Sequence, residues 1–198
     1  MRRRQVERVV TEDIARLLQP TGAAPAYRYS FAHDLLRQHS ASELDDELAD
    51  HRARIFTWAE HYQARSWPVD VTPLYLLDAY QTLLAREAAD KLPTLLTDLA
   101  YLDTAIARVG VDRIASHVHK SRDMHLADVD LAAIGWRLDQ EAHHLRPPYP
   151  LDKPGYVVRQ LCLQALQGGY SELADQARQE LLTLPAARLI PRWTNIRA

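Results

Sequence analysis

One cysteine, three lysines and six glycines in 198 residues are the first constraints this chain sets. A single Cys excludes an internal disulfide framework and a zinc site built on several thiolates. Six glycines leave little material for phosphate-cradling loops or for many tight hairpins. None of the three lysines, Lys91, Lys120 and Lys153, follows a glycine, so a Gly-rich loop ending in Lys and Ser or Thr is missing. A Gly-x-Ser-x-Gly nucleophile elbow is missing too. No apolar run approaches the ~20 residues a membrane span needs. Met1-Arg2-Arg3-Arg4-Gln5 carries charge with no apolar segment behind it, so it does not read as a secretory signal. The expected location is cytoplasmic, with no membrane partner. The 24 Lys and Arg against 26 Asp and Glu give a net charge of −2. That balance argues against a general nucleic-acid binder, which needs a basic surface to displace counterions.

What is present is helical periodicity. Val6, Val10, Ile14 and Leu17 line one face of an expected helix over about 5–18, stopped by Gln19-Pro20-Thr21-Gly22. Ala26-Tyr27-Arg28-Tyr29-Ser30-Phe31 alternates aromatic and polar residues and predicts a strand. A helix is expected from Ala32. Ser42 reads as the N-cap of another, running to about Arg65 with Leu44, Leu48, Ile55, Ala59 and Tyr62 on its apolar face. Further helices are expected at 73–88, 90–99, 100–109 and 111–120, with Gly110 as a C-cap. Leu131, Ile134, Leu138, Ala142 and Leu145 predict one over 123–145, and two more fall at 155–167 and 170–183, separated by Gly168-Gly169. Pro147 to Pro154 reads as a stiff crossover. The expected fold is all-α: an irregular antiparallel helical array or bundle carrying a small winged-helix remnant with one short strand or hairpin. The expected domains are a winged-helix part over 1–41, a helical array over 42–183, and a tail over 184–198. That tail holds Arg188, Arg192 and Arg197 and no acid.

Few side-chain patterns suggest chemistry. His117 and His119 are two apart, so a helix points them about 200° from one another. His125 is nearby, and His143 and His144 are adjacent and expected to diverge. With no His-Glu-x-x-His pattern, a metal is not expected. Cys162, between Leu161 and Leu163, reads as an inert buried thiol. Glu43, Asp45, Asp46, Glu47 and Asp50 read as a solvated helix face. Trp58 and Trp136 lie inside helices, whereas Trp67 and Trp193 sit in loops where an indole can cover a neighbouring unit. One constellation remains. The expected strand delivers His33-Asp34 to the first turn of a helix, where Asp34 can cap orphan N–H groups and orient the imidazole. His33 can then offer an N–H to a phosphate. A structural helix cap is the other reading of the same pair.

Phe31-Ala32-His33-Asp34-Leu35-Leu36 resembles the "Met-His-Asp-Leu" type motif that ends the winged-helix domain of signal-transduction NTPases of the NACHT and NB-ARC kind, with Ala32 in the Met position. Pro73 to Tyr80, Leu95 to Leu102, Ala142-His143-His144-Leu145, Val158 to Leu166 and Ile190-Pro191-Arg192-Trp193 are similar to the helical spacer of bacterial members, which precedes a WD-repeat β-propeller. The resemblance implies a sensor role for His33, against the β-phosphate of ADP, with Asp34 in support. It implies no catalytic residue, metal or cofactor in this chain, since ATP, ADP and Mg²⁺ belong to an ATPase domain expected outside these residues. The implied partners are that ATPase domain and the propeller of the same polypeptide, with homo-oligomerisation of the full-length protein as a further expectation.

The function expected first is therefore a non-catalytic regulatory linker that relays nucleotide state to a C-terminal sensor. The alternative is a stand-alone helical-repeat scaffold that binds other proteins. A small DNA-binding regulator is a weaker third: residues 5–38 look winged-helix-like, but Arg2, Arg3, Arg4 and Arg8 form the only dense basic cluster at this end of the chain and no second helix precedes a recognition helix.

Overall fold

The computed structural model describes residues 17–21, 28–124, 128–147, 153 and 155–184. The chain divides into two compact units, 1–58 and 59–198, and the boundary expected at 41/42 falls inside the first.

In the first unit, β1 (Leu18–Thr21) pairs antiparallel with β2 (Arg28–Phe31). The register sets Leu18 opposite Phe31 and Pro20 opposite Tyr29, and Ala32 N–H extends the ladder to Leu17 O at 2.8 Å. Leu18, expected at the end of a helix, therefore lies in a strand instead. Pro20 is compatible with a two-stranded ribbon, where a residue without an N–H can face outward. The rest of that expected helix, residues 5–16, lies outside the described residues. α1 (Asp34–Glu43) follows, then α2 (Asp45–Gln63). Ser42 is not an N-cap: it lies inside α1, and the break is at Leu44, whose N–H bonds Ser40 O. Nothing in the sequence around Ser42 stops a helix, so α1 runs through it.

The second unit holds a continuous core. α3 (Leu74–Asp78) and α4 (Tyr80–Glu87) split the single helix expected at 73–88, with Ala79 at the joint. A 3₁₀ turn (Ala89–Lys91) leads into α5 (Leu92–Thr97). α6 (Leu99–Val109), α7 (Val111–Met124), α8 (Val129–Glu141), α9 (Tyr156–Gln167) and α10 (Ser171–Thr183) complete the array. The expected start of a helix at 123 falls inside α7, and residues 142–145 form a turn rather than the end of α8. The crossover expected at 147–154 lies largely outside the described residues, and so do Trp193 and the arginines of the tail.

α6 is the hub, packed against α3, α5, α7, α9 and α10. Its Leu99, Tyr101, Leu102, Thr104, Ala105 and Ile106 are all buried, so it is apolar on more than one stripe. Leu76, Leu77, Leu96, Ile114, Val157 and Leu161 on these neighbours are buried too, as are Leu131, Ile134 and Leu138 of α8. Fully burying an aliphatic side chain of this size contributes about 1.5–3 kcal/mol. That packing holds α3, α4 and α5, which fall well short of the ~12–15 residues an isolated helix needs in water. Gly110, at φ 99°, terminates α6 as its position predicts. Among the described residues, no helix is long and apolar enough to cross a membrane.

The link from α2 into this core is strained. Ser66 and Trp67 both have left-handed backbones, at φ 53° and 49°. Ser66 is exposed, so its Cβ adds strain without packing. Ser66→Gly is expected to raise stability by about 0.5–1 kcal/mol, the left-handed penalty less the entropy glycine gives the unfolded chain. A shift of the urea midpoint to higher concentration checks it.

Candidate functional site around His33

β2 carries the chain straight into α1, and His33 is the residue at the joint. Its backbone is extended, at φ −134° and ψ 138°, and its carbonyl accepts from Leu36 N–H at 3.1 Å and Arg37 N–H at 3.3 Å. The helix thus starts on the backbone of His33. The imidazole makes no capping hydrogen bond and is exposed. Asp34 occupies the first turn, where a carboxylate opposes the helix dipole. Its Oδ1 accepts from Arg37 Nε at 3.2 Å, across solvent-exposed surface. The contact expected between Asp34 and the imidazole is replaced by this ion pair, because Arg37 sits one helical turn away and reaches the carboxylate first. The helix-cap reading of the His-Asp side chains also fails in its simple form, since His33 caps through its main chain alone.

The surroundings of His33 are apolar and open. Phe31 precedes it by two residues, Leu35 follows by two, and Leu17 is joined by the main-chain bond to Ala32. All three are exposed, Leu35 at 77%. None of the described side chains from Leu17 to Trp58 is buried. Leu44 and Trp58 are exposed as well, while Leu48 and Ile55 of the expected apolar face are half-buried. The ribbon, α1 and the part of α2 before Ala59 thus lack the term that normally stabilises such elements.

Elsewhere the polar groups are used to hold helices together. His119 Nε2 meets Asp139 Oδ1 at 3.0 Å, joining α7 to α8. His144 Nδ1 meets Glu141 Oε2 at 2.9 Å, and Gln164 Nε2 bonds the other oxygen of this buried carboxylate. His143 and His144 do not diverge: their rings lie 3.8 Å apart between centroids, tilted by 42°. Burial pulls the His117 pKa below its ordinary value, and Arg113 and Lys120 add to the effect. His125 lies outside the described residues. Among the described residues no group of three His, Cys, Asp or Glu side chains is placed to hold a metal ion. Cys162 is fully buried and burial pushes its thiol pKa up, which suits an inert packing residue. A cleft of about 680 Å³ beside α7 and α8 is lined by Asp112, His119, Lys120, Asp123, Asp139 and Arg146. The Asp112–Arg146 pair lies there too, its guanidinium holding the carboxyl below the usual range. Acidic and basic side chains both line this cleft, and the Asp112–Arg146 and His119–Asp139 contacts occupy four of the six.

Two structural clusters went unread in the sequence. Trp67 is fully buried, its indole N–H donating to Asp98 Oδ2 at 2.9 Å, while Asp98 Oδ1 caps α6 at Tyr101 N–H, 3.1 Å. Asp103 accepts from Gly155 N–H at 2.6 Å and Val157 N–H at 3.1 Å, capping α9 from a different helix. Only the Asp98-x-x-Tyr101 spacing carried a capping signal beforehand. Comparison with protein-family models, with curated protein sequences and with solved structures finds no significant match for this chain.

Proposed function

We propose that the chain is a non-catalytic regulatory module of an ATP/ADP-switched signalling ATPase, with the first unit as its docking face and the second as a rigid helical spacer. The observation that carries this reading is the pairing of an exposed, uncapped His33 imidazole with a segment that buries none of its described side chains. Such a segment gains stability by covering Phe31, Leu35 and Leu44 against another domain. Docking brings the imidazole and the orphan N–H groups of the first turn of α1 up to a bound phosphate, the kind of anion that helix N-termini favour. The ATPase domain supplies the rest of the nucleotide site, and the cytoplasm, where ATP is plentiful, is the matching location. The resemblance of the His33-Asp34 motif and of the later helices to NACHT and NB-ARC proteins supports the same reading.

Because the phosphate-binding machinery belongs to the partner domain, the 198-residue chain alone is expected to turn over no ATP and to bind no ADP. Titration calorimetry with ADP and Mg²⁺ checks this. Binding with a Kd in the micromolar range, about −8 kcal/mol, contradicts a module that needs its ATPase domain to see nucleotide.

A further inference from the structure

Among the described residues of the second unit, Arg137 is the one charged side chain buried completely, at 0% exposure. Nε, Nη1 and Nη2 all lack a hydrogen-bond partner. The guanidinium carbon lies 3.8 Å from the centre of the Trp136 ring and 4.5 Å from that of Tyr170, so the cation is held between two aromatic groups. On a third side it meets Gly168, where any Cβ would collide with it. The nearby end of α9 offers no easy acceptor. Its Gln164, Ala165 and Leu166 carbonyls already take the N–H groups of Gly168, Tyr170 and Gly169. Cation–π contact offsets part of the desolvation and leaves five N–H donors unanswered, a costly arrangement in a folded core.

The two rings around this cation are open to solvent, Trp136 at 45% and Tyr170 at 42%. Val129, two helical turns before Trp136 on α8, is exposed as well. Trp, Tyr and Arg clustered together have the composition of the residues that dominate binding energy at protein interfaces. Tyr170 stands between Gly169, at φ 73°, and the first residue of α10.

We propose that Trp136, Arg137 and Tyr170 form the centre of a docking site for a partner protein that presents an aspartate or glutamate carboxylate to the Arg137 guanidinium, with the Tyr170 ring turning outward to admit it. A carboxylate takes two parallel N–H bonds from an arginine fork and supplies the acceptors the core lacks. The rings and Val129 cover the apolar flank of the same segment. The site lies within the second unit, and the proposal is independent of the role assigned to His33.

Two measurements on the 198-residue chain test it. In the first, a capped peptide of alternating glutamate and leucine is titrated into ¹⁵N-labelled protein. The Arg137 Nε–H and Trp136 indole N–H resonances are expected to move. The glutamine counterpart of the peptide, and the Arg137→Lys variant, are expected to bind at least about fivefold more weakly, in line with loss of a charged, forked hydrogen bond. Resonances that stay still, or weakening below fivefold in either control, overturn the proposal. In the second, Arg137→Met is expected to melt about 3 °C higher or more, because an unpaired buried charge gives way to an apolar side chain of similar length. A smaller rise, a lower melting temperature or failure to fold means the guanidinium serves the fold itself, and overturns the proposal as well.

Discussion

Replacing Trp67 by alanine is expected to cost about 3–5 kcal/mol of folding stability, the upper range for truncating a buried aromatic. Two side-chain interactions fail together. The indole is 1% exposed and meets Tyr101 edge to face, with centroids 5.1 Å apart. Its N–H answers Asp98 Oδ2 at 2.9 Å, which leaves Asp98 free to cap α6 with its other oxygen. Thr104 Oγ1 also donates to the Trp67 carbonyl at 2.5 Å, a main-chain acceptor that the alanine variant keeps. Trp67→Phe separates these effects. It keeps most of the packing and removes the donor, so a smaller loss of about 1–2 kcal/mol is expected. Urea denaturation of both variants checks the ordering. Equal losses would assign the effect to the donor and none to the packing.

The second large effect is expected at Asp103. Its carboxylate projects from α6 and accepts from the N–H groups of Gly155 and Val157, at the start of α9. Gly155 occupies the N-cap position with φ 75° and has no side chain to do this itself. Removing the carboxylate with Asp103→Ala deprives α9 of its cap and loosens its hold on the hub helix. A loss of about 2–3 kcal/mol is expected, larger than for a local cap because the hydrogen bonds are charge-assisted and tie separate helices together. Asp103→Asn keeps an acceptor and should recover roughly half of it. Hydrogen exchange reports the site directly. The Gly155 and Val157 amides should lose protection in the alanine variant before the centre of α9 does, and unchanged protection contradicts the cap.

Both residues mark the limit of what the sequence displays. Leu131, Ile134 and Leu138 repeat at helical spacing, and the helix they predict is there with that face buried. Gly110 is legible for a similar local reason, since the end of α6 needs a positive φ. The Leu18–Thr21 strand is not, because its pairing with Arg28–Phe31 is not local and Pro20 reads first as a helix stop. Ala79 divides α3 from α4 with no residue that marks a break. Asp103 and the residues it caps are more than fifty positions apart, a distance that periodicity and capping rules do not span. At the candidate site, the junction of strand and helix at His33 is legible from alternation followed by an acidic first turn. The choice of Arg37 over His33 by Asp34 is not, because both neighbours are within reach and only the side-chain geometry decides. Arg137 looks in sequence like any charged residue of an amphipathic helix, and its burial follows from the close approach of Gly168.

The regulatory reading turns on one imidazole. If His33 senses nucleotide for an attached ATPase domain, its removal must loosen the ADP-bound, inactive state and leave the helical spacer intact. Exposure of His33 means that His33→Ala should leave the thermal stability of the 198-residue chain within about 0.5 kcal/mol of its starting value. The decisive measurement is therefore basal signalling by the ATPase polypeptide proposed to carry this module, with His33 and with His33→Ala. Basal output that rises about tenfold, the effect of losing roughly 1.4 kcal/mol from the closed state, is the result expected. Basal output unchanged by the substitution contradicts the sensor role.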